Sequence, residues 1–223
     1  MADTAAQQLR QAVFLDRDGT LVEERHYLSD PAQVVLVVGA AQAVRRLQGA
    51  GLAVVVVTNQ SGIARGYYTE AEYRAVADRV DELLHAEGVV VDGTYHCPHL
   101  PGVTGPCDCR KPGPGMYLQA ARELGLATRG SFYVGDRWKD VLPAVRFGGR
   151  GILVRSGYGR EQEPLVPEEL EGCVAPLHAH GEVMVPALHG PGHPNSRSPK
   201  VVVADDLTQA SRWIVSASID GVR

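Results

Sequence analysis

The chain has 223 residues, enough for one compact domain with its own hydrophobic core. Apolar residues make up 44% of it and charged residues 22%, which argues against disorder, collagen and coiled coil. The formal net charge of -4 gives no reason to expect binding to nucleic acid or to an anionic membrane. The aliphatic runs are too short to span a bilayer and the N-terminus lacks the apolar core of a signal peptide, so we expect a cytoplasmic protein.

Short β-branched runs alternate with helical stretches in the first half, a rhythm typical of βαβ units around a parallel sheet. Strands are predicted over residues 12–16, 52–57 and 89–95. Helices are predicted over residues 40–48 and from Thr69 to about Gly88. The second helix is the better defined one, because Thr69 and Glu72 form a capping box at its start.

The second half continues this rhythm and then loses it. A helix is predicted over residues 112–125, and strands over 131–134 and 151–154 with a helix between them. Residues 161–200 are rich in proline and predict an irregular excursion, before a strand over 201–203 and a helix over 206–217. The histidines of the excursion are interpreted as solvated loop residues rather than metal ligands: His178, His180, His189 and His193. We expect a single domain over 1–223 with its core at about 10–159.

Two carboxylates, Asp16 and Asp18, follow the first predicted strand directly. Ligands of an open parallel sheet bind beyond the carboxyl ends of its strands, so both side chains are expected to face a crevice. Asp16 can attack phosphorus and form an aspartyl phosphate. Asp18 can donate a proton to the leaving oxygen and then take one from water. The alternative is an Asp-rich turn without any chemistry.

Thr58, Asn59 and Gln60 end the second buried strand. The Thr58 hydroxyl and the backbone N–H groups of Asn59 and Gln60 can hold the non-bridging oxygens of a phosphate. Ordinary turns at strand ends use the same residue types, so this motif supports a phosphate site only in combination with Asp16.

Lys111 precedes a predicted helix and can supply the fixed positive charge that a transferring phosphoryl group needs. Arg110 beside it can act as a bidentate clamp. Taken alone, such a pair is typical of a solvated surface. Its position among the other motifs favours a role in the site.

Asp136 follows the strand predicted over 131–134 and can bring a cation ligand to the same sheet edge as Asp16. A Mg²⁺ ion at a phosphate site is usually held by few carboxylates, a backbone carbonyl and several waters. The carbonyl would come from Asp18. Asp140, one turn into the next helix, is expected to support these ligands from behind.

Three of the four cysteines lie within thirteen residues, which is not how a disulfide framework spreads its bridges. Cys97, His99, Cys107 and Cys109 together supply three thiolates and an imidazole, enough for a closed tetrahedral Zn²⁺ site. Closed sites are structural, so this ion is expected to hold a loop and not to activate water. Cys173 is interpreted as a free thiol.

The four motifs occur in the order and setting of the haloacid-dehalogenase-like phosphatases, and the chain is identified as a member over residues 12–159. The resemblance implies a three-layer α/β/α Rossmann-like fold with a parallel sheet, a zinc-bound loop and no separate cap domain. The acid/base at Asp18 resembles the phosphohydrolases and not the dehalogenases, which lack it.

The zinc loop and the adjoining Arg110 and Lys111 resemble two branches of that superfamily, the heptose bisphosphate phosphatases and the histidinol-phosphate phosphatases. Residues 58–66 and 111–116 are similar to the heptose branch. This resemblance implies a phosphoric monoester hydrolase that removes the C7 phosphate of D-glycero-D-manno-heptose 1,7-bisphosphate, in the biosynthesis of nucleotide-activated heptose. Hydrolysis of histidinol phosphate or of another small phosphomonoester is the alternative.

The resemblance also implies roles for single residues. Asp16 would be the nucleophile and Asp18 the acid/base, with Thr58 and Lys111 steadying the phosphoryl group. Mg²⁺ would be held by Asp16, Asp18 and Asp136. The implied substrate contacts are Glu24, Arg25, His26, Tyr27, Thr58, Asn59, Gln60, Ser61, Arg110, Lys111 and Arg137.

The implied partner is a small phosphorylated sugar, without nucleic acid or membrane, and the protein is expected to be a monomer. Two alternatives belong to other classes. A catalytically inactive, zinc-stabilised binding module would be expected to lack one of the four charged motif residues, but Asp16, Asp18, Lys111 and Asp136 are all present. A polynucleotide end phosphatase would need a basic groove and an aromatic stacking run.

Overall fold

The computed structural model describes residues 9–177 and 200–220. Within them, seven strands form one sheet in the order β3-β2-β1-β4-β5-β7-β6, and every neighbouring pair is parallel. The strands are β1 Arg10–Leu15, β2 Ala53–Asn59, β3 Gly93–Cys97, β4 Leu126–Gly135, β5 Arg150–Val154, β6 Val174–Pro176 and β7 Val201–Ala204. Because all strands run the same way, their carboxyl ends share one edge of the sheet.

Helices cover both faces of this sheet. They are α1 Ala40–Gly49, α2 Ser61–Ala64, α3 Glu70–Ala86, α4 Pro101–Thr104, α5 Gly115–Leu124, α6 Trp138–Val141, α7 Pro143–Phe147, α8 Gly159–Gln162 and α9 Leu207–Asp220. Alternate residues of β1 face opposite layers: Val13 and Leu15 pack in the cluster that includes α1, α3 and α9. Ala12 and Phe14 pack with residues of α5 and α7. The predicted three-layer α/β/α fold is therefore confirmed, and the described residues contain no separate cap domain.

Strand β3 begins later than predicted. The run 89–95 was expected to be extended throughout, but the strand covers Gly93–Cys97. Val89 instead continues from α3, with its N–H donating to Leu84 O at 3.1 Å. Asp92 binds the backbone of Val54 with its carboxylate, which accepts from Val54 N at 2.8 Å. The Asp92 N–H also donates to Val54 O at 2.8 Å, so one backbone bond and one side-chain bond hold residue 92 against β2 before the strand begins.

The predicted irregular excursion over 161–200 is wrong for part of its length. Val174–Pro176 form β6, the edge strand that pairs with β7. Leu170 and Ala175 are fully buried, and this burial explains why the segment stays on the sheet. His178, His180, His189 and His193 lie outside the described residues. None of the described helices is both long and apolar enough to cross a membrane.

Candidate active site and zinc cluster

A pocket of about 290 Å³ opens at the carboxyl edge of the sheet, where β1, β2 and β4 end. Its lining consists mostly of charged and polar side chains, as expected for a site that takes an anionic ligand. Lining it are Asp16, Asp18, Glu24, His26, Tyr27, Leu28, Thr58, Asn59, Gln60, Ser61, Arg65, Tyr68, Arg110, Arg137, Lys139 and Tyr158. Most of the residues predicted from the sequence therefore meet in one place.

Lys111 lies beneath the pocket and is almost completely buried. Its Nζ donates to Asp16 Oδ1 at 2.7 Å and to Val57 O at 2.6 Å, and lies 2.8 Å from Asp140 Oδ1. Burial works against its charge, but Asp140 and Asp16 outweigh this effect and raise the pKa of Lys111. Lys111 is therefore a fixed cation directly behind the Asp16 carboxylate.

Three buried carboxylates meet next to this cation. One oxygen each of Asp16, Asp136 and Asp140 lies within 4.8 Å of the other two. Burial, together with the charges of Asp16 and Asp140, raises the pKa of Asp136 to about 8. Asp136 Oδ1 is buried and has no hydrogen-bond partner among the described residues. An orphaned oxygen in a group of carboxylates is a donor set that suits a hard cation such as Mg²⁺.

The Asp18 carboxylate lies outside this group and is held by other residues. Arg17 donates to both of its oxygens, at 3.0 and 2.9 Å. Gln60 Nε2 donates to Asp18 Oδ2 at 2.8 Å and to Thr58 Oγ1 at 2.7 Å. The structure thus gathers Asp16, Asp136 and Asp140 but not the Asp18 side chain. A contribution of Asp18 to the metal site through its carbonyl stays a prediction.

The end of β2 is tied to the segment that carries Lys111. Asn59 Oδ1 accepts from Lys111 N at 3.0 Å, and Asn59 Nδ2 donates to Lys111 O at 3.2 Å. Both bonds fix the backbone of Lys111 relative to β2, the strand that contains Thr58 and ends in Asn59. Ser61 begins the short helix α2, and it lines the pocket together with the three preceding residues, 58–60.

The loop after β1 also lines the pocket, with Glu24, His26 and Tyr27. His26 and Tyr27 have positive φ angles of 38° and 60°, and His26 N donates to Glu24 Oε1 at 2.8 Å. Burial raises the pKa of Glu24, with the Asp18 charge adding to the effect. Arg25 does not line the pocket; it is exposed and pairs with Glu23 at 2.7 Å. The predicted substrate contact of Arg25 has no support from this arrangement.

Sequence reasoning missed four polar residues that line the pocket: Arg65, Tyr68, Lys139 and Tyr158. Arg65 follows α2, Lys139 lies within α6, and Tyr158 lies between β5 and α8. The only signal for Lys139 was its place next to Asp136 and Asp140. Tyr158 had none, because its proximity to the site depends on how the chain turns after β5.

The four predicted zinc ligands form a second cluster at the end of β3. Cys97 Sγ lies 3.7 Å from both His99 Nδ1 and Cys107 Sγ. Cys109 Sγ lies 3.5 Å from Cys107 Sγ and 3.1 Å from His99 Nδ1. Burial raises the pKa of the Cys97 thiol, so a compensating cation would favour its thiolate. The three cysteines of the cluster are free of disulfides, and the donor set of three thiols and one imidazole suits Zn²⁺.

The zinc cluster contacts the active-site loops through the backbone. Arg110 Nη1 donates to His99 O at 3.1 Å, and Gln60 N donates to Cys97 O at 2.7 Å. Cys109 is followed directly by Arg110 and Lys111 in the chain. The cluster therefore fixes the segment from which Lys111 reaches under the pocket.

Two family models match the chain. One, described as Polynucleotide kinase 3 phosphatase, matches residues 11–141, and one described as HAD-hydrolase-like matches residues 108–175. These ranges contain every motif described above. The match to the first model covers more than half of the chain.

Curated relatives and solved structures are similar over most of their length. The D-glycero-beta-D-manno-heptose-1,7-bisphosphate 7-phosphatase of Haemophilus ducreyi is 42% identical over 154 residues, 66% of this chain and 85% of the relative. The enzyme of the same name from Escherichia coli K12 is 41% identical over 163 residues, which are 70% of this chain and 83% of the relative.

The crystal structure of D,D-heptose 1.7-bisphosphate phosphatase from B. bronchiseptica, complexed with magnesium and phosphate, has a TM-score of 0.71 at 29% identity. It covers 92% of this chain and 98% of that chain. The crystal structure of the D,D-heptose 1,7-bisphosphate phosphatase from Burkholderia thailandensis has a TM-score of 0.61 at 25% identity. The match covers 93% of this chain and 99% of the other. The chain belongs to the haloacid-dehalogenase-like hydrolases and, within them, to the family of the heptose 1,7-bisphosphate 7-phosphatases.

Proposed function

We propose that the protein removes the C7 phosphate of D-glycero-D-manno-heptose 1,7-bisphosphate and leaves heptose 1-phosphate. The observation that carries this proposal is the buried group of Asp16, Lys111, Asp136 and Asp140 under a polar pocket, in a chain about 41% identical to phosphatases of that name. The β configuration in the names of those relatives makes the β anomer the first substrate to test.

Asp16 is the nucleophile of this reaction. Both hydrogen bonds to its side chain use Oδ1, one from Lys111 Nζ and one from Arg17 N at 2.8 Å. Among the described residues nothing donates to Oδ2, so Oδ2 is the oxygen available to attack phosphorus. A bond forms between Oδ2 and phosphorus as the bond from phosphorus to the C7 oxygen breaks.

Asp18 transfers the protons. It gives one to the departing C7 oxygen, and then takes one from the water that attacks the aspartyl phosphate, which releases inorganic phosphate and restores Asp16. Arg17 and Gln60 hold its carboxylate in place for both steps. The Thr58 hydroxyl accepts from Gln60, so its own proton is free for a phosphoryl oxygen.

Mg²⁺ would be held by Asp16, by Asp136 and by the backbone carbonyl of Asp18, with Asp140 behind them. When bound, it supplies positive charge that offsets the carboxylates and the phosphoryl oxygens. Lys111 provides a second positive charge that the protein itself keeps in place. Zn²⁺, held by Cys97, His99, Cys107 and Cys109, would be structural.

Two other substrates remain as candidates. The family model described as Polynucleotide kinase 3 phosphatase favours a phosphate at the end of a nucleic acid. The cationic residues Arg65, Arg110, Arg137 and Lys139 at the pocket agree with either an oligonucleotide or a sugar bisphosphate. Histidinol phosphate shares the chemistry, but it carries a basic imidazole and amine that these cations would repel.

The test is phosphate release with Mg²⁺, comparing kcat/KM on both anomers of the heptose bisphosphate, on histidinol phosphate and on a 3′-phosphorylated oligonucleotide. We expect a preference of at least about a hundredfold for one heptose anomer. The matched negative control is Asp16→Asn, which keeps the shape of the side chain and removes the nucleophile. A higher kcat/KM on either of the other two substrates would overturn the substrate assignment.

We further propose that the protein acts as a monomeric single domain in the cytoplasm, on a small phosphorylated sugar. What supports this proposal is that the groups the reaction uses, the Asp16 nucleophile, the Asp18 acid/base and the Lys111 cation, all come from one chain, so the chemistry needs no residue of a partner. Sedimentation velocity at the concentration of the activity assay tests the monomer, and a dimer there would contradict it.

A further inference from the structure

Tyr158 lies in the turn between β5 and α8, and the site itself fixes its backbone. Its N–H donates to Asp136 Oδ2 at 2.8 Å. Two residues earlier, Ser156 Oγ donates to Gly19 O at 2.6 Å, which ties the turn to the loop after Asp18. Both bonds are independent of the Tyr158 side chain. Substitutions of the ring therefore leave the anchoring of residue 158 in place.

The ring of Tyr158 carries the guanidinium of Arg137, with Cζ 3.7 Å from the ring centroid. In the described part of the chain, Arg137 forms no ion pair with a carboxylate. A guanidinium stacked on an aromatic ring keeps the N–H groups in its plane free to bind an anion. Both side chains line the pocket, so the stack holds at its wall a cation that no described carboxylate pairs with directly.

The hydroxyl of Tyr158 contacts a second residue that lines the pocket. It lies 2.8 Å from His26 Nδ1, on the loop after β1. This contact restrains the ring from the side away from Asp136. Tyr158 is therefore held at its backbone and at its hydroxyl, with Arg137 stacked on the ring between these two points.

We propose that Tyr158 is a positioning residue that holds Arg137 toward the part of the substrate that is not transferred, the distal phosphate of a sugar bisphosphate. This inference rests on the proposed function, since it takes Asp16 as the point of phosphoryl transfer. An interaction with a non-reacting group contributes equally to the ground state and the transition state, so it lowers KM and leaves kcat unchanged.

The experiment measures kcat and KM for Tyr158→Leu and Tyr158→Phe. Tyr158→Leu removes the ring under Arg137, and we expect KM for the heptose bisphosphate to rise by about five- to thirtyfold with kcat within twofold. On p-nitrophenyl phosphate, which has no distal phosphate, kcat/KM stays within twofold. Tyr158→Phe keeps the ring and restores KM to within about twofold of the wild type.

A double-mutant cycle shows whether Tyr158 acts through Arg137. In an Arg137→Ala background, Tyr158→Leu should raise KM by less than twofold, because there is no guanidinium left to position. Equal effects in both backgrounds would overturn the inference. So would an equal loss on the two substrates, since that would mean that Tyr158 acts through Asp136.

A spectroscopic measurement keeps this inference separate from the substrate assignment. The Nε–H proton of Arg137, assigned by its loss in Arg137→Ala, should be shifted upfield by the ring current of Tyr158. The shift should persist in Tyr158→Phe and vanish in Tyr158→Leu. A resonance that is the same in wild type and Tyr158→Leu contradicts the stack. Failure to hydrolyse the heptose bisphosphate, with the shift present, overturns only the proposed substrate and the role in binding its distal phosphate.

Discussion

At the residue scale, two glycines enclose the buried carboxylate of Asp136. Gly19 and Gly157 have φ angles of +80° and +53°, and a Cβ at either position would collide with Asp136 Oδ2. The chain can therefore approach this carboxylate so closely only where the side chain is absent. The same contact places the Asp18 and Tyr158 segments next to the candidate metal ligand.

Gly19→Ala should damage both stability and activity. The left-handed φ costs about 1 kcal/mol for a residue with a Cβ, and the collision with Asp136 adds to it. Gly66→Ala is the matched control, since Gly66 has φ +70° and nothing within 4 Å of an added Cβ. Urea unfolding should show about 1 kcal/mol lost in the control with full activity, and a larger loss with kcat reduced at least tenfold in Gly19→Ala. Equal losses in the two variants would contradict the packing argument.

The sequence allowed the chemistry of single residues to be predicted where adjacent residues carry it. Asp16 and Asp18 stand directly after a strand and Lys111 stands shortly before a helix, and the fold brings all three to one pocket or its floor. Arg65 and Tyr158 could not be found this way, because they reach the pocket through turns whose direction is decided by tertiary packing. Arg25 belongs to a predicted contact segment, but its side chain points to Glu23 instead.

At the scale of elements, the zinc cluster fixes the segment between β3 and α5. We expect Cys107→Ser to lower zinc content and stability together, because a closed site contributes its binding energy to folding. The loss should be on the order of 3 kcal/mol. Cys173→Ser is the matched control, since Cys173 lies outside the cluster. Elemental analysis measures the zinc content of both variants, and thermal unfolding measures their stability. Full zinc occupancy with an unchanged Tm in Cys107→Ser would refute the structural role of the ion.

The turn that carries Tyr158 is closed by an ion pair that responds to pH. Arg155, directly after β5, donates to both oxygens of Glu163, at 2.7 and 2.6 Å. This hydrogen bonding lowers the pKa of Glu163 below its usual value of 4.5. A carboxyl whose pKa is lowered by folding stabilises the protein above its unfolded pKa, and this contribution is lost as pH falls through the folded pKa.

Glu163→Gln should therefore lower Tm at pH 7, and the difference from the wild type should shrink below about pH 4. Glu161→Gln, an exposed glutamate on α8, is the control and should match the wild type at every pH. Thermal unfolding between pH 3 and 8 measures both variants. A difference for Glu163→Gln that does not change with pH would mean that the pair contributes through packing alone.

At the scale of the whole molecule, the parallel sheet brings together carboxylates from two distant segments of the chain. Asp16 follows β1 and Asp136 follows β4, so a cation bound by both would link two parts of the chain that are about 120 residues apart in sequence. The helices and strands that build this edge were largely predicted from their periodicity. The strand β6 was not, because its short run is stabilised by pairing with β7, which comes after the irregular segment.

Mg²⁺ should therefore stabilise the whole fold. At a concentration one hundred times its Kd, about 2.7 kcal/mol is expected, or roughly 5–10 °C in Tm for a chain of this size. Asp136→Asn should lose this rise without a lower Tm in the absence of metal, since it removes one of three crowded carboxylates. Sodium chloride at equal ionic strength is the control. A Mg²⁺ effect that survives in Asp136→Asn would place the ion elsewhere.

The burial of Lys111 also makes this lysine a reporter of large-scale opening. The chain has only three lysines, Lys111, Lys139 and Lys200, and the last is exposed. An amine reagent cannot reach Nζ of Lys111 while that atom is bound to Asp16 and Val57 beneath the pocket. Mass spectrometry can measure the rate at which Lys111 is labelled, with Lys200 as the exposed reference. That rate would report how often the segments around Lys111 move apart far enough to expose its Nζ.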